Sequence, residues 1–502
     1  MRYPKTPDAL FGELFTDVQL QNVFEDSKTF VDLNPSISPQ IIVDRYRNER
    51  SKDGFDVRTF IDQHFEFPPE DDKTLKADPK RPVREYIDLV WRTLYSRSDT
   101  PHDGSSLIAL PHPYIVPGGR FREVYYWDSY FSQLGLIASN QDDLVLSMVK
   151  NFAHLIDTLG FVPNGNRTYY TTRSQPPMFA MMVDLIASAR ADRALLVNFL
   201  PQMRAEYSFW MDGADTLDEG QAKRRVVRCA NGVLNRYWDD ATTPRPESYR
   251  EDIALFAYEP PPSSALFQDI RAACESGWDF SARWLDDPHR LASACTRTVI
   301  PVDLNAILFS VESIIAKSAQ LAGDAHTHEA FCHRAEARKA LIQKMFFDPV
   351  RGAFVDLTWP ELTPRPILSM ATACPLFFEV ATREQAERTA LTLRRELLRP
   401  GGWVTTSIKT GQQWDAPNGW APLQWFAYRG LMNYGFDHDA QEGARRWVNN
   451  NLSVYSATGA LAEKYDVESI GTLASGGEYE VQTGFGWTNG VLLQLMNELG
   501  IE

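Results

Sequence analysis

The chain has 502 residues, of which 51 are basic and 66 acidic, so its formal net charge is −15. Apolar residues make up 44% and charged residues 23%, as in ordinary globular proteins, which excludes an intrinsically disordered chain. The negative charge opposes binding to nucleic acids and to anionic membrane surfaces, so we expect a neutral or small partner.

The first part of the chain differs in composition from the rest. It is rich in proline, aspartate and asparagine, and its short apolar patches follow no sustained period. We therefore predict an irregular N-terminal arm over residues 1–78, packed on a larger body over residues 79–502, and no break that would divide 1–502 into separate domains.

The start of the sequence, MRYPKTPDALFGELFTD, interrupts its few apolar residues with charged ones. A secretory leader needs a run of about 7–15 apolar residues, and a membrane span needs roughly 18–20. Neither run is found in the sequence. The sequence as given therefore predicts a cytoplasmic location, unless a leader precedes it.

From about residue 80 onward, apolar residues recur at helical spacing. Leu304, Ile307, Leu308 and Val311, for example, share one face of a predicted helix. The predicted helices cover about 82–98, 128–139, 141–158, 177–190, 193–212, 264–286, 304–321, 327–347, 383–398, 420–434, 438–451 and 486–499. Successive pairs of such helices predict one all-α body, and a closed ring of helix hairpins would bring many loops to one mouth.

The long loops between these helices carry an unusual number of tryptophans. Thirteen tryptophans in 502 residues is about twice ordinary usage. Seven lie in or beside the loops: Trp127, Trp278, Trp403, Trp414, Trp420, Trp425 and Trp487. Aromatic faces stack on sugar rings, and the neighbouring carboxylates and arginines bind vicinal hydroxyls, so we predict a carbohydrate pocket. The alternative is that the large side chains only anchor the loops.

Two loop carboxyls have the surroundings that acid–base chemistry requires. Asp279 follows Gly277 and Trp278, and an apolar ring beside it would raise its pKa, as a general acid needs. Glu478 follows two glycines, which allow a loop to bring it over a ligand. Together the two would suit glycoside hydrolysis. The alternatives are a structural aspartate and a solvated surface glutamate.

Metal or nucleotide chemistry is not predicted. His326 and His328 are two residues apart, so they do not share a helical face with each other, and His333 lies further along. No P-loop, dinucleotide fingerprint, serine elbow or HExxH motif is found in the sequence. We therefore predict no metal and no cofactor.

Two long segments carry a resemblance to a known family. PGGRFREVYYWDSY at 117–130 and QWDAPNGWAP at 413–422 resemble the two signature segments of the trehalases of glycoside hydrolase family 37. The resemblance extends from TPDALFGELF at 6–15 to FGWTNGV at 485–491, nearly the whole chain. It implies a single catalytic domain, an (α/α)6 barrel, that hydrolyses α,α-trehalose to two glucose molecules with inversion and without a cofactor.

The resemblance also implies roles for particular residues. The general acid of the family falls on Asp279 and its general base on Glu478. The residues that bind the sugar fall on Arg120, Trp127, Asp128, Asn164, Arg173, Ser174, Gln175, Arg245, Glu247 and Gly277. The missing leader resembles the cytoplasmic branch of the family.

Two other functions remain open at this point. A non-catalytic sugar-binding protein on the same barrel is one, although it would not need both Asp279 and Glu478. A glycosidase for another glucoside is the other. In each case the expected partner is a small disaccharide rather than nucleic acid or membrane, and we expect a monomer.

Overall fold

The structure is a computed structural model that describes residues 4–67, 75–255 and 263–502. The α-helices of these residues are α1 Pro7–Phe11, α2 Glu13–Leu20, α3 Lys28–Asp32, α4 Pro39–Glu49, α5 Val57–His64, α6 Val83–Leu94, α7 Tyr126–Ala138, α8 Asp142–Leu159, α9 Phe179–Ala189, α10 Ala194–Asn198, α11 Leu200–Trp210, α12 Tyr249–Ala254, α13 Ser264–Glu275, α14 Val302–Ala322, α15 Ala325–Leu341, α16 Cys374–Phe377, α17 Arg383–Thr392, α18 Ala421–Asn433, α19 Asp437–Thr458 and α20 Gly486–Leu499.

The strands are short and pair as antiparallel hairpins or ribbons. They are β1 Asn34–Pro35, β2 Phe65–Glu66, β3 Tyr95–Ser96, β4 Tyr114–Ile115, β5 Ala222–Lys223, β6 Val226–Cys229, β7 Gly232–Asn235, β8 Val299–Ile300, β9 Phe347–Asp348, β10 Ala353–Phe354, β11 Leu357–Thr358, β12 Leu398–Arg399, β13 Gly402–Trp403, β14 Asn418–Trp420 and β15 Lys464–Asp466. β5, β6 and β7 form a three-stranded sheet, and β14 pairs with β15 in the register Trp420 to Lys464. Among the described residues, no helix is long and apolar enough to span a membrane.

Six helices of the described chain form a closed inner ring. α7 packs on α9, α9 on α14, α14 on α16, α16 on α18, α18 on α20, and α20 packs back on α7. Helices α6, α8, α11, α15 and α19 pack against members of this ring and alternate with them along the chain. The predicted all-α ring of paired helices is thus confirmed.

The ring closes where α20 meets α7, at two glycines. A Cβ on Gly490 would lie 2.2 Å from the carbonyl oxygen of Phe131, and a Cβ on Gly135 would lie 2.4 Å from the Cα of Gly490. Only hydrogen side chains allow the two helix backbones to approach this closely. The contact brings the first turns of α7 and α20 together at one end of the ring.

The predicted helices of the barrel overlap the observed ones, with several differences. The helix predicted over 438–451 continues as α19 to Thr458, and α12 was not predicted. The helix predicted over 264–286 ends at Glu275, because the chain turns at Gly277 with a φ of +76°. The helix predicted over 193–212 is divided into α10 and α11 around Phe199. The inner helix α16 was not predicted, since it has only four residues after a 3-10 turn at Met370–Ala373.

The N-terminal arm is helical, so the prediction of an irregular arm is wrong. Helices α1 to α5 have between 5 and 11 residues, too short to give a sustained apolar period. Their buried residues, such as Phe11, Phe30 and Phe60, form a small core of their own. That core includes Tyr125 and Tyr170 from the barrel, so the arm packs directly on the barrel loops.

Candidate active site

A pocket lies among the loops that join the helices of the inner ring. It brings together almost every site residue predicted from the sequence: Arg120, Trp127, Asp128, Asn164, Arg173, Gln175, Arg245, Glu247, Gly277, Asp279 and Glu478 all line it.

Ser174 is the predicted site residue that does not line the pocket. Its hydroxyl donates to the carbonyl of Val162 at 2.6 Å, and its backbone N–H donates to Glu275 at 2.7 Å. Ser174 therefore fixes the backbone between Arg173 and Gln175, whose side chains do reach the pocket.

Four of the seven loop tryptophans form an aromatic wall of the pocket: Trp127, Trp414, Trp420 and Trp487. The rings of Trp414 and Trp420 are stacked, with centroids 4.0 Å apart and planes at 2°. Trp278 stacks behind Trp414 at 5.4 Å and does not line the pocket, nor do Trp403 and Trp425. The prediction of a pocket with sugar-stacking aromatics therefore fits four of the seven, whereas the other three are buried in the main hydrophobic core.

Gly277 is needed where the aromatic wall meets the loop of Asp279. A Cβ at this position would lie 2.7 Å from the indole ring of Trp127. Its positive φ is also a conformation that favours glycine. Gly277 thus lets the backbone that leads to Asp279 pass directly beside the ring.

The QWD segment at 413–415 holds the loop of Asp279 in place. Gln413 Nε2 donates to the carbonyl of Asp279, and the N–H of Trp414 donates to the carbonyl of Phe280 at 3.0 Å. Asp415 accepts hydrogen bonds from the hydroxyl of Ser281 at 2.7 Å and from the next backbone N–H at 2.8 Å. Asp415 is therefore a buttress for this loop and does not itself line the pocket.

Asp279 faces the pocket but is otherwise surrounded by protein. Burial raises its pKa from 3.8 to about 7, the Arg245 guanidinium opposes the rise, and the nearby carboxylate of Glu478 adds to it. At neutral pH a substantial fraction of this carboxyl group is therefore protonated, as proton donation to a leaving group requires.

Glu478 is held by an arginine at the pocket wall. Arg245 donates to Glu478 through both terminal nitrogens, Nη2 to Oε1 at 2.9 Å and Nη1 to Oε2 at 3.2 Å. The other edge of the same guanidinium donates to Asp252, at 2.6 Å from Nη2 and 3.1 Å from Nε. Both oxygens of Glu478 are thus engaged by one cation.

A second arginine organises the opposite part of the site. Arg173 donates to Asn164 at 2.8 Å, to Glu247 at 2.7 Å and to Asp239 at 3.3 Å. Burial would raise the pKa of Glu247, but Arg173, Arg245 and the nearby Arg271 outweigh it, so the pKa is lowered. Glu247 is therefore ionised, and its Oε2 has no hydrogen-bond partner among the described residues.

Glu463 is a pocket residue that the sequence analysis missed. It is 1% exposed and follows the apolar residues Leu461 and Ala462, just before β15. Its Oε1 accepts a hydrogen bond from the hydroxyl of Tyr479 at 2.9 Å, whereas Oε2 has no partner among the described residues. Burial raises its pKa, and the Lys464 ammonium and the Tyr479 hydroxyl oppose part of that rise. The signal that the sequence offers for this residue is a glutamate directly after the apolar Leu461 and Ala462.

Asp128 lies in the first turn of α7, near Glu463 and Asp279. Burial raises its pKa well above the ordinary value, its own N–H opposes this, and the two other carboxyl groups raise it further. Three carboxyl groups thus share this part of the pocket without an arginine that binds them directly. Lys28 of the arm also lines the pocket and was not predicted.

Comparisons with known proteins give one consistent family. A family model described as Trehalase matches residues 22–500. The periplasmic trehalases of Citrobacter koseri and Escherichia coli are each 46% identical to this chain over 98% of its length and 87% of theirs. Among solved structures, the neutral trehalase of Saccharomyces cerevisiae matches with a TM-score of 0.64 and 26% identity, covering 84% of this chain and 80% of that one.

A GH63 mannosylglycerate hydrolase from Thermus thermophilus, solved with glucose, also matches, with a TM-score of 0.55 and 16% identity over 82% of this chain and 99% of that one. At this identity the likeness concerns the fold alone. Together with the trehalase structure, it supports the (α/α)6 barrel.

The cytoplasmic location predicted from the sequence is wrong, because the relatives at 46% identity are named periplasmic trehalases. The error has a physical cause. A leader segment that is removed from the folded protein determines export, so the composition of the folded body does not reveal the compartment.

The raised pKa of Asp279 predicts a pH-dependent cost in stability. Because the folded pKa is about 7 against an ordinary 3.8, the contribution of this group is fully favourable below about pH 4 and is lost as pH rises through 7. We expect Asp279→Asn to gain stability relative to the unchanged protein between pH 5 and pH 8, by up to about 2.6 kcal/mol. Denaturant unfolding at both pH values measures this difference.

The matched control is Asp62→Asn, which removes an exposed carboxylate of α5 that pairs with Arg58 at 2.9 Å. Its effect on stability should be the same at both pH values. A constant stability difference for Asp279→Asn would contradict the raised pKa.

Proposed function

Because the chain belongs to the trehalase family, we propose which of its residues carry out the hydrolysis of α,α-trehalose to two glucose molecules. The enzyme is a glycoside hydrolase, and the reaction inverts the configuration of the attacked anomeric carbon. Inversion needs one carboxylic acid that protonates the glycosidic oxygen and one carboxylate that takes a proton from water on the opposite face of the ring.

Asp279 is the general acid in this proposal. The observation that carries the assignment is a carboxyl group that lines the pocket, has a pKa of about 7 and is held by the buttress of Gln413 and Asp415. A proton donor with a pKa near the operating pH combines a useful protonated fraction with a strong driving force for transfer.

Glu478 is the general base in this proposal, as the family resemblance implies. It lines the pocket, and both of its oxygens accept hydrogen bonds from Arg245, which holds the carboxylate at the pocket wall. Glu463 also lines the pocket, and its Oε2, which has no partner among the described residues, can accept from a sugar hydroxyl.

The remaining polar residues bind the disaccharide. Arg120, Arg173 and Arg245 carry permanent charges that can donate to sugar hydroxyls. The free Oε2 of Glu247 can accept from another hydroxyl. The four pocket tryptophans supply the apolar faces for the sugar rings. All these groups come from one chain, which supports the proposal that a monomer forms a complete site.

The first experiment follows the anomers of the product by proton NMR with purified protein and α,α-trehalose. Inversion at one glucose and retention at the other predicts equal amounts of β- and α-glucose before mutarotation. Two α-glucose molecules would contradict the inverting mechanism. Binding of trehalose without glucose release would instead support a sugar-binding protein, and activity on other glucosides alone would support a different glycosidase.

A set of isosteric variants separates acid, base and binding roles. We expect Asp279→Asn and Glu478→Gln each to lower kcat by about 10³-fold while trehalose still binds, because each removes a proton-transfer group. We expect Glu463→Gln to raise KM and to lower kcat less than tenfold, because it removes a hydroxyl contact. Steady-state kinetics and calorimetric trehalose binding measure both quantities. Loss of kcat in Glu463→Gln with kcat retained in Glu478→Gln would contradict Glu478 as the base.

The pH profile of the unchanged enzyme tests the acid. Since Asp279 must be protonated and its pKa is about 7, kcat/KM should fall about tenfold per pH unit above that value. A profile that stays flat from pH 6 to 9 would contradict Asp279 as the acid.

A further inference from the structure

The arm segment between α2 and α3 lies against the active-site pocket. Lys28, at its end, lines the pocket and is 2% exposed. Its ammonium group forms ion pairs with Asp32 and, at 2.9 Å, with Glu123 of the barrel. Its charge is therefore neutralised by two carboxylates on either side, and the segment is fixed to the pocket wall at this point.

The same segment is fixed from its other side by α12. The hydroxyl of Ser27 donates to both carboxylate oxygens of Glu251, at 2.9 and 2.7 Å. The guanidinium of Arg250 donates to the carbonyls of Phe24 at 3.2 Å and Glu25 at 2.8 Å. Since both sides of this segment are bound, its intervening residue, Asp26, has a defined position.

Asp26 binds the guanidinium of Arg120 in a bidentate manner. Nε of Arg120 donates to Oδ2 at 2.8 Å and Nη2 donates to Oδ1 at 2.7 Å. This geometry fixes the plane of the guanidinium and leaves Nη1 for a ligand in the pocket that Arg120 lines. The side chains are 38% and 18% exposed, and such partly exposed pairs contribute little stability.

Arg120 in turn contacts the loop that carries Glu478. Its guanidinium lies over the ring of Tyr479, 4.7 Å from the centroid, and its backbone N–H donates to Gln482 Oε1 at 2.9 Å. Tyr479 follows Glu478 and donates to Glu463. The orientation of Arg120 therefore affects both the pocket and the residues beside the proposed base.

We propose that Asp26, on the N-terminal arm, is a positioning residue for the substrate. It orients Arg120 so that the free edge of the guanidinium donates to a sugar hydroxyl and its face supports Tyr479. The arm is thereby part of the substrate-binding site and not only a support for the barrel. The inference rests on the proposed function, because it takes trehalose as the ligand of Arg120.

The test is Asp26→Asn, which keeps the shape of the side chain but cannot accept both guanidinium N–H groups. We expect KM for trehalose to rise about tenfold while kcat changes less than threefold, because a binding contact is misplaced and the proton-transfer groups are not. Arg120→Lys removes the bidentate geometry from the other side and should raise KM similarly. Since both act on one contact, the double variant should show less than the product of the two effects.

Asp62→Asn is the control, since it removes the charge of another exposed ion pair on the same arm, and its KM should stay within twofold of the unchanged enzyme. A KM for Asp26→Asn within twofold, or effects of the two changes that multiply fully, would overturn the proposal. If Asp26→Asn lowers the melting temperature, KM is measured for Arg120→Lys and Asp26→Glu instead. A KM within twofold of the unchanged enzyme in these folded variants would likewise overturn the proposal.

The same assay separates this proposal from the proposed function. Absence of glucose release by the unchanged enzyme would refute the proposed function alone, and the calorimetric Kd for trehalose would then replace KM with the same tenfold criterion. Normal glucose release with an unchanged KM in Asp26→Asn would refute only the role of Asp26.

Discussion

The site depends on the pairing of buried arginines with carboxylates. A charge that leaves water for the protein interior is costly unless an opposite charge and hydrogen bonds compensate it. Arg173, Arg245 and Arg283 are each buried and each bound to two acidic side chains. The pairs of Arg173 with Glu247 and of Arg245 with Glu478 join segments that are far apart in sequence, so the same interactions that make the burial tolerable also fix the walls of the pocket.

The pocket carboxyl groups that no arginine of the described residues binds directly differ from these in their pKa. Among the described residues, Asp128 and Glu463 have no direct arginine partner, and Asp279 receives only the more distant influence of Arg245. Burial therefore raises their pKa values, whereas the carboxyl of Glu247, bound to Arg173, has a lowered one. One pocket thus contains carboxyl groups suited to hold protons and others suited to remain charged, which is the asymmetry that acid–base catalysis needs.

Much of this could be predicted from the sequence, and the failures have physical causes. The spacing of apolar residues predicts long amphipathic helices such as α14 and α20, and the signature segment at 117–130 locates residues such as Arg120 and Trp127. The arm helices were missed because they are short, and α16 for the same reason. Glu463 was missed because its importance lies in an unpartnered oxygen, which is a property of the surroundings and not of the neighbouring letters.

The contact between α7 and α20 that closes the ring also completes the pocket. The first turn of α7 carries Trp127 and Asp128, and the first turn of α20 carries Trp487. These turns meet only because Gly135 and Gly490 let the two helices approach closely. The aromatic wall is therefore completed by the last helix of the chain, while Asp26 of the N-terminal arm binds Arg120 of the pocket. Since the binding groups come from both ends of the sequence, a complete site requires the whole chain to be folded.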